Sequence, residues 1–238
     1  MTGRSTGAGT GWDYATVKYN SVGQQQWVAR YNGTGNGTDD ALVIAVDSLG
    51  NVYVTGGSLG TSYFDYATIK YNSAGQKQWV ARYSNGPYAR AIALDGSGNV
   101  YVTGESVESL SGNSVVDYAT IKYDSAGQEQ WVATYGDSKN YFNSAEAIAL
   151  DGSGNVYVTG VSLSSRSGYD YATVKYDSAG QEQWVARYNG PGNGNEEGAS
   201  TIVVDGSGNV YVTGNSPGRG TGFDYATVKY VQNPTPTP

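Results

Sequence analysis

The stretch DYATVKY, Asp13 to Tyr19, is the piece of sequence that decides the fold. It returns as DYATIKY from Asp65 and Asp117, and letter for letter from Asp170 and Asp224. Two segments travel with it, QWVARY (once QWVATY) and GNVYVTG, but each of these occurs only four times. Trp27, Trp79, Trp131 and Trp184 mark equivalent positions, as do Asp47, Asp95, Asp151 and Asp205, so the repeat is about 52 residues long. The chain of 238 residues holds 35 glycines and 22 tyrosines, and only 15% of it is charged. That mixture describes short strands joined by tight turns. No window carries a sustained helical spacing of apolar residues, which predicts little or no helix.

Each unit contains four strand-like segments. One unit shows them all: AIALD (Ala91 to Asp95), NVYVTG (Asn99 to Gly104), DYATIKY (Asp117 to Tyr123) and QWVATY (Gln130 to Tyr135). DGSG joins the first two and DSAGQ the last two, both tight turns in which glycine supplies positive φ and Asp bonds the backbone ahead of it. Ala91 and Ala93 are small enough for a crowded inner strand, whereas the Trp strand suits a wider rim. In the second segment Val100 and Val102 face one way and Tyr101 the other, so both faces are apolar and the sheets should stack face to face. Four such strands per repeat of this length predict an all-β fold, a β-propeller of about four four-stranded blades.

In blade order, three blades are complete, roughly Ala41 to Tyr83, Ala89 to Tyr135 and Ala145 to Tyr188. A fourth begins at Ala199 and stops after its third strand at Tyr230. Its missing strand is available at the other end, Gln26 to Tyr31, so the ring is expected to close with one blade built from both termini. Asp13 to Tyr19 and Asp224 to Tyr230 would then compete for one slot. The alternative is a larger ring made by strand exchange between chains, so the protein is expected as a monomer or a strand-exchanged oligomer. Residues 1–11 are expected to be a flexible segment, 12–230 the propeller, and 231–238, with their Pro-Thr alternation, a stiff linker of an excised domain.

The series D-x-x-GNVYVTG, DYATVKY and G-Q-x-QWVARY resembles the β-propeller repeats of bacterial and archaeal surface proteins, a family named for seven-bladed rings. The resemblance runs from about Trp12 to Tyr230. It implies extracellular or cell-surface placement as one module among others, and no single activity. The departure is in number, with about four repeats where the family implies seven.

A net charge of −7 disfavours nucleic acid and anionic membranes, and no apolar run is long enough for membrane insertion. There is no His and no Cys, hence no Ser-His or Cys-His pair and no zinc site of the usual ligands. No enzyme and no cofactor are expected. The Asp-Gly-Ser-Gly turns offer hard oxygen ligands for calcium, but each brings one carboxylate and reads first as a hairpin turn. The paired acids Asp39-Asp40 and Glu196-Glu197 read as solvated loop residues. The recurring Lys18, Lys70, Lys122, Lys175 and Lys229 are expected to snorkel or to pair with an Asp of a neighbouring strand. In a four-stranded meander the two uniform turns share one face, and every long, divergent loop emerges on the other. That second face carries Tyr63, Phe64, Tyr88, Tyr141, Phe142, Tyr169 and Phe223 among Gly, Ser and Asn, a mixture suited to binding a glycan or a protein. The competing reading is a structural or self-assembly unit with no small ligand.

Overall fold

The computed structural model describes residues 1–110, 113–136, 142–164, 167–192 and 197–232. Among them every regular element is a β-strand, and the strands form five antiparallel meanders. The first sheet joins β1 (Thr2–Thr6), β2 (Trp12–Tyr19) and β3 (Gln25–Tyr31). The second holds β4 (Asp39–Val46), β5 (Val52–Leu59), β6 (Phe64–Tyr71) and β7 (Lys77–Tyr83). The third holds β8 (Ala89–Leu94), β9 (Val100–Leu110), β10 (Asn113–Tyr123) and β11 (Glu129–Tyr135). The fourth holds β12 (Asn143–Leu150), β13 (Val156–Ser164), β14 (Gly168–Tyr176) and β15 (Glu182–Tyr188). The fifth is again three-stranded, with β16 (Gly198–Val204), β17 (Val210–Gly218) and β18 (Gly222–Tyr230).

The turns close as their residues require. Asp95 Oδ1 accepts from the amides of Ser97 and Asn99 at 2.9 Å, and Oδ2 from Asn99 Nδ2 at 2.7 Å and Tyr101 Oη at 3.2 Å. Asp47, Asp151 and Asp205 repeat this set, so both oxygens of each carboxylate are taken up inside the turn. Burial pushes the Asp47, Asp95 and Asp151 carboxyls upward, but the bonds from Asn, Tyr and backbone outweigh it and hold them below the usual carboxylate value.

The core lies between sheets, and each sheet is wired to the next. Tyr14 Oη donates to Ala67 O, Tyr66 Oη to Glu105 O and Tyr118 Oη to Ala172 O, at 3.2, 2.7 and 3.3 Å. At the rim, Trp27, Trp79 and Trp131 donate from Nε1 to the carbonyls of Ser73, Ser125 and Ser178 in the following sheet. Each ring rests on a glycine of that Ser-Ala-Gly turn, where a Cβ on Gly75, Gly127 or Gly180 would come within 2.6 Å of the indole. Among the described residues no recurring lysine forms an ion pair with Asp. Lys70, Lys122 and Lys175 lie over Tyr53, Tyr101 and Tyr157, and Lys70 and Lys122 reach the same Ser carbonyls as the tryptophans.

Two expectations are corrected. Residues 1–11 include a strand: Thr2 pairs with Thr16 as Thr55 pairs with Thr68, so β1 is the second half of a strand two. The closing blade is also different. Asp13, Tyr19, Gln26 and Tyr31 belong to the first sheet, Asp224 and Tyr230 to the fifth, and no strand of one is paired with a strand of the other among the described residues. The reason is edge occupancy. β2 is bonded by β1 on one edge and β3 on the other, so β18 finds no free partner there. The fifth DYATVKY copy is therefore the edge strand of a fifth sheet, paired with β17. Of the C-terminal linker, residues 233–238 lie outside the described residues.

Candidate functional site

Contacts between β4 and β8, β8 and β12, and β12 and β16 place the first strands at the inner edge, each against the next. Every one carries a bulge near its start, on the long-loop face. The register skips Leu42, Arg90, Glu146 and Ser200 in the four sheets. A bulge crowds the partner strand and re-aims a side chain. The crowding explains the last glycine of GNVYVTG: a Cβ on Gly56, Gly104, Gly160 or Gly214 would lie 2.0 to 2.2 Å from a carbonyl oxygen of the bulged strand. The re-aimed side chains are where the repeat stops repeating.

Arg90 and Glu146, from neighbouring sheets, converge there. Arg90 donates from Nε and Nη2 to Glu105 Oε1 at 3.1 and 2.8 Å, and its Nε stands 3.7 Å from Glu146 Oε1. Ser144 Oγ lies 2.8 Å from both Glu105 Oε1 and Glu146 Oε1. A hydroxyl donates one proton, so the serine serves one carboxylate at a time. Burial on the Arg side pushes the guanidinium down, and the hydrogen bond and charge of Glu105, with Glu146, push it further up. The Glu105 side chain is nearly covered, while those of Arg90 and Glu146 are about a third exposed. The cluster can meet a ligand with both a cationic fork and carboxylate acceptors.

The predicted aromatics do not make one platform. Phe64 and Tyr88 stack at 5.4 Å between the second and third sheets, and Phe142 meets Tyr169 edge to face at 6.3 Å. Tyr63 is 80% exposed and Phe223 61%. Tyr141 lies outside the described residues. Beneath these rings the Asp of DYATVKY works as a clamp. Arg82 forks onto Asp65 and also donates to Ser58 and to Tyr31 of the preceding sheet, and Arg187 does the same with Asp170, Ser162 and Tyr135.

The loop acids are also structural. Asp39 is buried and accepts from Gly33 N at 2.7 Å. Glu197 is buried and takes Gly190 N on both oxygens, and burial pushes its carboxyl up. Glu196 lies outside the described residues. Sequence reasoning missed the Arg90 cluster, although one signal was present. Position 90 reads Leu42, Arg90, Glu146, Ser200 across the repeats, and position 105 reads Gly57, Glu105, Val161, Asn215.

Residues 78–108 match the SBBP family, described as Beta-propeller repeat. The chain carries the β-propeller repeat. A search of the curated proteins finds no match. Among solved structures, the propeller chain resembles a protein of unknown function from Dyadobacter fermentans, with a TM-score of 0.54 and 11% identity over 93% of this chain and 72% of that one. It also resembles a protein of unknown function from Bacteroides caccae, with a TM-score of 0.47 and 12% identity over 89% of this chain and 65% of that one. A third, described as a glycoside hydrolase, has a TM-score of 0.40 and 8% identity over 98% of this chain and 84% of that one. These propeller blades thus span just under two thirds of the Bacteroides chain.

Proposed function

We propose that this propeller is a non-catalytic, extracellular or cell-surface module that binds a protein or a glycan through its long-loop face. One observation carries the reading: the inner bulge carries four different residues, Leu42, Arg90, Glu146 and Ser200, and between the third and fourth sheets two of them, Arg90 and Glu146, gather with Glu105 into a charged cluster. The charged cluster supplies orientation and the flanking rings supply contact area, the division of labour found in binding surfaces. Extracellular placement rests on the resemblance of the repeats to those of surface proteins. Printed glycan and protein arrays probed with the whole chain test the binding. The expected result is a defined set of binders whose affinity falls at least about tenfold on Arg90→Ala and severalfold on Tyr63→Ala. An empty array, or binders indifferent to both substitutions, contradicts it.

A second reading, a structural or self-assembly unit, is favoured by a different observation. Tyr225 is 85% exposed, whereas its equivalents Tyr14, Tyr66, Tyr118 and Tyr171 are 1% exposed or less.

A further inference from the structure

The two end sheets are incomplete in complementary ways. The first sheet has no strand one and only half of strand two, so it lacks the tyrosine of GNVYVTG. In the complete sheets Tyr53, Tyr101 and Tyr157 are buried against the next sheet, beside Ile92 and Leu94, Ile148 and Leu150, or Ile202 and Val204. The corresponding Ile44 and Val46 of β4 have no such cover and stand 36% and 60% exposed. The fifth sheet shows the converse. Among the described residues Tyr211 and Tyr225 have no following sheet, and the fifth sheet has no strand four. The turn pieces are unmatched in the same sense. Trp184 borders an open cavity of about 330 Å³ with Tyr230, Val231 and Gln232, where its counterparts have a Ser-Ala-Gly turn. The first sheet's own Ser21-Val22-Gly23 turn has nothing lying on Gly23.

We infer that the fifth sheet of one copy replaces β1 and β2 of a second copy and pairs its β18 with that copy's β3. This deepens the self-assembly reading and is independent of ligand binding at the loop face. The exchange is isosteric because Asp13 to Tyr19 and Asp224 to Tyr230 are identical in sequence. Tyr225 inherits the bond that Tyr14 makes to Ala67 O, so that contact is conserved. β16 and Tyr211 then cover Ile44 and Val46, which β1 and β2 leave bare. The Ser21–Gly23 turn comes with β3 and meets Trp184. A complete blade results where two partial ones stood. The occupant is a second copy because, within a chain, extensive packing runs only from each sheet to the next, and three complete sheets separate β3 from β18. Two copies exchanging at both junctions complete both end blades and release the β1–β2 pair of each chain.

The cysteine-free sequence makes the test direct. Thr16 faces Ala29 across β2 and β3, so in the exchanged blade Thr227 takes that place. Full-length Thr227→Cys and Ala29→Cys proteins, mixed under mild oxidation, are expected to form a disulfide-linked species of twice 25.0 kDa. Light scattering of the unmodified chain should give the same doubled mass; Tyr225→Ala should raise the dimer dissociation constant at least about tenfold, while Tyr14→Ala, which weakens only the strand that is displaced, should lower it. A dimer without the mixed cross-link, or one indifferent to Tyr225→Ala, overturns the exchange and leaves assembly by another surface. A monomer at every concentration overturns both, with array binding unaffected.

Discussion

The two faces of this molecule are made by the same strands and treat their residues in opposite ways. On the turn face every Asp-Gly-Ser-Gly-Asn or Asn/Asp-Ser-Ala-Gly-Gln segment satisfies itself: Asp95 makes four hydrogen bonds within six residues, and so does each of its equivalents. Such a turn permits little variation, and it is repeated. On the loop face the backbone requirement is met by a bulge against a glycine, and the bulged side chain itself is left without a structural task. There the sequence diverges, and in one sheet it assembles Arg90, Glu105, Ser144 and Glu146. A repeat protein thus marks its adaptable positions where geometry is fixed by backbone alone.

The sharpest way to break this contrast is to change the glycine behind the bulge. Gly104→Ala places a Cβ 2.2 Å from Tyr88 O and should cost about 1–3 kcal/mol in urea unfolding. Gly96→Ala, in open space on the turn face, should stay within about 0.5 kcal/mol of the native chain. Next in size is Asp95→Ala, which strips the turn of its acceptor and leaves Tyr101 Oη without its partner. The loss should be about 1–2 kcal/mol, read by the same titration. Arg90→Ala should cost about 1 kcal/mol: the nearly covered Glu105 keeps the Ser144 hydroxyl as a partner, and Arg90 and Glu146 are themselves about a third exposed. If it proved as costly as Gly104→Ala, the cluster would be a structural clamp like Arg82 with Asp65.

The smallest effect is a pH dependence of the turn face. Asp205 is held at about 2, below the usual 3.8, first by the Asn209 side chain and then by backbone amides and Tyr211. A carboxylate depressed on folding contributes fully above its unfolded value and loses that contribution as pH falls through the folded one. Stability should therefore be level above about pH 5 and decline between about pH 4 and pH 2. Asp205→Asn should flatten the acid limb slightly. A limb unchanged in Asp205→Asn, or a decline that began near neutrality, would mean that other groups govern it.

Much of this was legible in the letters. The period, the two turn chemistries and the two-sided apolar pattern of GNVYVTG correspond to the five antiparallel meanders and their packing. The terminal arrangement was not legible, because Thr2 to Thr6 contains no motif and reveals itself as half a strand only through its register with β2. The bulges were hidden for a related reason. An extra residue changes which face a side chain takes without changing its letter, so Arg90 and Glu146 looked like ordinary variation in an inner strand. Topology assigned the aromatics to the long-loop side, where Phe64, Tyr169 and Phe223 prove to stand at the starts of β6, β14 and β18, but whether rings pair or stand free depends on loop geometry that spacing does not encode.

The most direct measurement is an array profile of a chain whose bulge is made uniform, Arg90→Ser with Glu105→Asn and Glu146→Ser, compared with the native protein. The expected result is an unchanged fold, with melting shifted by no more than a few degrees, and loss of the native binders. Retained binding, or a collapse of the fold on making the bulge uniform, would contradict the assignment of this face to recognition.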